Sequence, residues 1–170
     1  MPAVAVAYES FHGLRERPFS LTPDPKYFFK SRSHGAALES LTAGLRRREP
    51  FLLVTGDLGV GKTTTSRTLI ELLRPRSPVA YVENPLLSPP DLLRLILRDF
   101  GAVSDELTVE RDTQELYDLF VTFVSALARE RDGAVVVVDE AHHTPPQLVD
   151  HLTRLTTLNV NGTALPCFSV

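Results

Sequence analysis

The sequence predicts an α/β domain, a parallel sheet flanked by helices. Three observations carry this. Short runs rich in β-branched residues alternate with stretches whose apolar residues recur at helical spacing. Residues 134–138 (Ala-Val-Val-Val-Val) show no polar alternation, as strands buried on both faces of a parallel sheet do. The first strand-like run also passes through glycines directly into a helix-like one, at the edge where open α/β sheets bind ligands.

Residues 1–32 read as an N-terminal arm and residues 33–170 as the core. Between Phe11 and Lys30 the arm holds Pro18, Pro23 and Pro25, so it is expected to be irregular. Phe11, Phe19, Tyr27, Phe28 and Phe29 are expected to pack it onto the domain. From Ser33 to about Arg48, Leu38, Leu41 and Leu45 recur at helical spacing, and Pro50 ends that helix. Residues 51–55 read as a buried strand. Residues 62–73 read as a helix ended by Pro75 and Pro78, and 79–82 as a second strand closed by Asn84-Pro85.

Ser88 is a good N-cap, with Pro89 at the first helical position and Asp91 at the third. The helix it opens buries Leu92, Leu93, Ile96 and Phe100, and Gly101 stops it. Asp112 with Glu115 forms a capping box ahead of an apolar stripe of Leu116, Leu119, Phe120, Phe123 and Leu127. Asp132-Gly133 turns the chain into residues 134–138. Thr144-Pro145 with Gln147 is expected to cap a helix carrying Leu148, Leu152, Leu155 and Leu158. Asn161-Gly162 turns the chain again, and residues 165–170 begin another strand.

Composition removes several classes. An apolar fraction of 43% and a charged fraction of 23% in 170 residues suit one soluble domain and exclude wholesale disorder. No apolar run approaches the ~20 residues needed to cross a bilayer. The first ten residues lack the basic start of a signal peptide. The single cysteine, Cys167, cannot form an internal disulfide, which fits a reducing, cytoplasmic setting. A net charge of -3 argues against a chain built mainly to coat nucleic acid. Lysine is scarce, three against fifteen arginines, so the one lysine inside a glycine-rich loop stands out.

That loop is Gly56-Asp57-Leu58-Gly59-Val60-Gly61-Lys62-Thr63, followed by Thr64, and it fits G-x-x-x-x-G-K-[ST]. Glycines let the backbone wrap so that successive N–H groups point at phosphate oxygens. The helix that follows presents its positive end to the same anion. Lys62 would neutralise the β- and γ-phosphates of a bound nucleotide, and the Thr63 hydroxyl would bind Mg2+. The second half of such a site is a buried strand that delivers Asp139-Glu140 to its carboxyl end. Asp139 would hold Mg2+ through its water shell, and Glu140 would activate the attacking water as general base. This is the arrangement of a P-loop NTPase.

His142 and His143, with His151 in the next helix, offer no second ligand pair at zinc spacing and read as a loop beside the nucleotide. Arg46-Arg47-Arg48 reads as a solvated helix end, where cations suit the dipole; phosphate or DNA contact is the alternative.

Asp139-Glu140-Ala141-His142 also spells the box that names one helicase group. That group pairs two such domains, and this chain has room for one. The closer likeness lies in three stretches. The first is the arm from Phe11-His12-Gly13-Leu14 through Pro18-Phe19-Ser20-Leu21-Thr22-Pro23-Asp24-Pro25, with Ser33-His34 beyond it. The second is the loop from Thr55 to Thr64. The third runs from Asn84-Pro85-Leu86-Leu87-Ser88 through Leu92-Leu93-Arg94 and Asp99-Phe100-Gly101 to Asp139-Glu140-Ala141-His142. On these residues the chain resembles the AAA+ ATPases of the general secretion pathway protein A (ExeA-like) type.

The resemblance implies an ATPase with Lys62 and Thr63 on the phosphates and Mg2+, Asp139 on Mg2+ and Glu140 as catalytic base. It implies homo-oligomers, and ATP turnover that helps assemble a type II secretion secretin or a related envelope machine. Similar ATPase domains also serve transposition, so a nucleotide-dependent DNA-binding regulator is the alternative. Such ATPases normally continue past the strand at 165–170 to a sensor residue, an arginine finger and a helical lid. Their absence leads to the expectation of a truncated domain, and to a third reading, a chain that binds nucleotide without turnover.

Overall fold

A computed structural model describes residues 7–16, 23–104, 111–130, 133–157 and 167–169. In chain order the elements are α1 (Ala7–Phe11), a 3-10 turn (Pro25–Tyr27), α2 (Arg32–Arg46), β1 (Phe51–Leu53), α3 (Lys62–Leu73) and β2 (Val79–Val82). They continue with α4 (Pro89–Asp99), α5 (Thr113–Glu130), β3 (Val135–Val138), a second 3-10 turn (Ala141–His143), α6 (Pro146–Thr157) and β4 (Cys167–Ser169). The strands pair in parallel, in the order β1-β4-β3-β2. Parallel neighbours need crossover connections, which the helices supply. The strand expected at 165–170 is central, with Phe168 in register with Leu52 on one side and Val137 on the other.

Alternation along β3 divides the core in two. Val136 and Val138 join Ala80 and Val82 of β2 under α4, α5 and α6. Val135 and Val137 face the other way and join Val79 under α2 and α3. All four valines are therefore buried, which is why the strand carries no polar residue.

Most helix signals act as expected. Ser88 caps α4 by accepting the Asp91 N–H, and Asp112 and Glu115 exchange both bonds of the capping box at 2.9 and 3.1 Å. Gly101, at φ +70°, closes α4: its N–H bonds Arg98 O and the Ala102 N–H bonds Leu97 O. Helix α2 ends in the same way, but its left-handed residue is Arg48 at φ +57°. That turn stops the helix before Pro50 can, and at its other end the helix starts at Arg32, one residue before Ser33, with Ser31 as its cap.

Three expectations need correction. The first strand is Phe51–Leu53, shorter than 51–55 because the chain leaves the sheet at once for the glycine loop, and it is not buried: at the edge of the described sheet, Phe51 and Leu53 are exposed. Of the five aromatics, Phe28 alone among the described ones packs on the core; Phe11 and Phe29 are 83% and 80% exposed, Tyr27 is exposed, and Phe19 lies outside the described residues. Polar contacts hold this segment instead, with Glu16 taking bonds from Lys26 Nζ (2.7 Å) and Tyr27 OH (2.9 Å). Thr144 does not cap α6. The first helical bonds go to Pro145 O, so the hydroxyl sits one residue too early and is buried without a partner among the described residues. Leu158 and the Asn161-Gly162 turn lie outside the described residues. Among the described residues, no helix is long and apolar enough to cross a membrane.

Candidate functional site

Strand β1 delivers the chain to Gly56, and α3 starts at Lys62, so residues 56–61 form a loop around the N-terminus of α3. Gly59 and Gly61 have φ of +80° and +89°, a conformation that side chains with a Cβ rarely adopt. Gly61 is the N-cap of α3 and makes no side-chain cap bond. The first-turn N–H groups and the helix dipole therefore face the loop's concavity, a ready anion site. Lys62 arches back over the loop, its Nζ donating to Gly56 O (3.0 Å) and Asp57 O (3.1 Å). Leu58 is 99% exposed at the tip. Thr64 follows in the first turn, where its carbonyl accepts from the Thr68 hydroxyl.

The acidic pair lies across from it. Asp139 is 4% exposed at the end of β3, and a buried carboxylate needs its lone pairs filled. Tyr81 OH donates to Oδ2 at 2.6 Å, while the Glu140 N–H (2.9 Å) and the Thr63 hydroxyl (3.3 Å) donate to Oδ1. Burial, and then the bond to Asp139, pushes the Tyr81 phenol well above its ordinary value. The Arg67 guanidinium lies 5.6 Å from the Tyr81 ring and donates to Glu83 (2.9 Å) and to Pro23 O (3.1 Å). Glu140 is exposed and left-handed at φ +50°, an uncommon strained conformation of the kind that clusters at functional sites.

The structure brings the predicted residues together. A cleft of about 610 Å³ is lined by Thr55, Gly56, Leu58 and Lys62 on one side and by Glu140 and His142 on the other. Glu140 Oε2 lies 3.4 Å from His142 Nδ1. Ligand atoms of Glu140, His142 and His143 fall within 4.8 Å of one another, all exposed, and His151 is not among them. Arg46 and Arg48 lie beside Val135, the first residue of β3, and so at the other end of the sheet from Asp139.

Three contacts were not legible as function. His34 of α2 bonds the loop's Val60 carbonyl at 2.9 Å, and Tyr81 and Arg67 buttress Asp139. Tyr81 carried a signal, since a phenol in an otherwise apolar strand needs a partner for its hydroxyl. Arg67 carried none, and His34 entered only the family likeness through Ser33-His34; neither position in the chain indicates what lies opposite.

The glycine loop, the start of its helix and the acidic strand end thus sit at the carboxyl end of a parallel sheet. The family described as "AAA domain" matches residues 45–168 of this chain. The chain belongs to the AAA domain family. Over 154 residues this AAA domain is 39% identical to "General secretion pathway protein A" of Aeromonas hydrophila, a match covering 91% of this chain and 28% of that protein. The chain therefore spans less than a third of that relative's length. Its family makes it a nucleotide-binding module of the ATPase class.

Proposed function

We propose that this AAA domain binds ATP with Mg2+ and hydrolyses it, as the ATPase part of a protein that helps assemble a secretion machine. The observation that carries the reading is the meeting of Thr63 Oγ1 with Asp139 Oδ1 at 3.3 Å, beside the lysine of the glycine loop. Residues 76 positions apart thereby present a hydroxyl and a carboxylate to one place, an oxygen-only donor set of the kind Mg2+ prefers.

In this reading the backbone of residues 56–61 and the first turn of α3 cradle the phosphates. Lys62 leaves the two loop carbonyls and neutralises the β- and γ-phosphates. Thr63 and Asp139 hold Mg2+, which when bound draws charge from the phosphate oxygens. Tyr81 and the Glu140 N–H keep the Asp139 carboxylate aimed at that place. Glu140, exposed in the cleft, takes the proton of the attacking water on its carboxylate. The secretion role rests on the name of the relative, the expected homo-oligomer on the AAA family, and the cytoplasmic location on the single cysteine.

Calorimetric titration with a non-hydrolysable ATP analogue, with and without Mg2+, tests the binding half of the reading. Binding should require Mg2+ and disappear in Lys62→Ala. Phosphate release tests the other half: Glu140→Gln should keep its affinity and lose at least about a hundredfold in rate. Equal turnover by Glu140→Gln would remove the assignment of the base. Mg2+-independent affinity would remove that of Thr63 and Asp139.

A further inference from the structure

We propose that His34 is a positioning residue for the phosphate loop: it pins the Val60–Gly61 peptide and so couples helix α2 to nucleotide affinity. The affinity part rests on the nucleotide reading above; the pinning does not.

The geometry runs through one peptide plane. His34 Nε2 lies 2.9 Å from Val60 O, and a carbonyl oxygen can only accept, so Nε2 carries the proton. In the neutral ring Nδ1 is then the acceptor, and the Ser31 hydroxyl lies 3.0 Å from it. Ser31 Oγ in turn accepts the His34 backbone N–H as the cap of α2. The ring is thus oriented by the helix start on which it sits. Phe28, packed on the core beneath α2 and α3, holds its other side with ring centroids 5.6 Å apart.

In a trans peptide the carbonyl and the following N–H point in opposite directions. Holding Val60 O toward His34 therefore turns the Gly61 N–H to the other side of the loop, where an anion would be received. Gly61, which borders this plane on its far side, is a glycine at positive φ and lets the plane turn more easily than a residue with a Cβ would, unless something holds it. A Cβ on Gly61 would also come within 3.1 Å of His34 Nε2. Glycine is thus needed there for its dihedral and for the close approach of the ring.

The test uses the whole chain with His34→Phe, His34→Ala and His34→Gln. Histidine 15N shifts, read near pH 8.5 without nucleotide, should show the Nε2–H tautomer; an Nδ1–H tautomer would overturn the proposal. Heteronuclear NOEs of residues 59–61, also without nucleotide, should fall in the Phe and Ala variants and recover in Gln, whose amide can donate. Affinity for the Mg2+–ATP analogue should drop about tenfold in Phe and Ala, with at least half of that loss on a logarithmic scale restored in Gln. Unchanged NOEs in a folded His34→Phe would overturn the proposal. So would a Gln variant no better than Phe, which would reduce His34 to a packing residue. If wild type binds no nucleotide, the functional reading fails, while the tautomer and NOEs still decide the role of His34.

Discussion

The two halves of the candidate site are built in opposite ways. The phosphate loop is contiguous, and among the described residues Lys62 Nζ bonds only the loop's own Gly56 and Asp57 carbonyls. The loop stands in solvent at Leu58 and Val60. The carboxylate half is assembled from separate elements: Asp139 is buried at the end of β3, Tyr81 comes from β2, and Arg67 behind it comes from α3. A loop of the first kind can be altered without touching the core. A buried carboxylate cannot, because every donor it loses leaves charge unsatisfied in a low-dielectric place.

The largest effect that should separate the halves is Lys62→Ala. Losing the only loop cation should cost nucleotide affinity at least about a hundredfold, roughly 3 kcal/mol, while calorimetric melting of the unliganded protein shifts by no more than about 2 °C. A large fall in melting temperature would break the comparison, since the loop would then be part of the core. Tyr81→Phe should behave in the reverse sense. It removes the 2.6 Å donor to Asp139 Oδ2 and should lower unfolding free energy by about 1–2 kcal/mol, measured by urea titration. Its effect on affinity should be smaller than that of Lys62→Ala.

The smallest effect concerns α6, which leaves the carboxylate half. Burial, and then Arg154, hold His151 below its ordinary value of 6.5, and its Nε2 is buried without a hydrogen-bond partner among the described residues. A base depressed in the folded state is protonated first in the unfolded chain. Its contribution is therefore present above about pH 6.5 and is lost as the pH falls below that value. His151→Gln should flatten the decline in stability between about pH 7 and pH 5; an unchanged slope would place the acid sensitivity elsewhere.

Legibility followed the same division. The extent of α3, the caps at Ser88 and Asp112 and the stop at Gly101 depend on neighbours a few residues away, and each was readable in one dimension. The uniform burial of Val135–Val138 was readable too, since only a strand covered on both faces carries four valines in a row. The arm's aromatics misled because hydrophobicity does not say whether a surface lies within reach. Phe28 found one beside α2, whereas Phe11 and Phe29 did not. Thr144 misled for a local reason, a start displaced by one residue at Pro145.

By itself the sequence determined the loop at Gly56–Thr63, the acidic pair that ends β3 and the alternation of strands with helices. These rest on backbone conformation and periodicity, which short segments encode alone. Only the tertiary structure decided that β4 separates β1 from β3, that Tyr81 fills Asp139 and that His34 holds the Val60 carbonyl. The physical reason is that a hydrogen bond across the sheet depends on which elements become neighbours, and chain order does not specify neighbours.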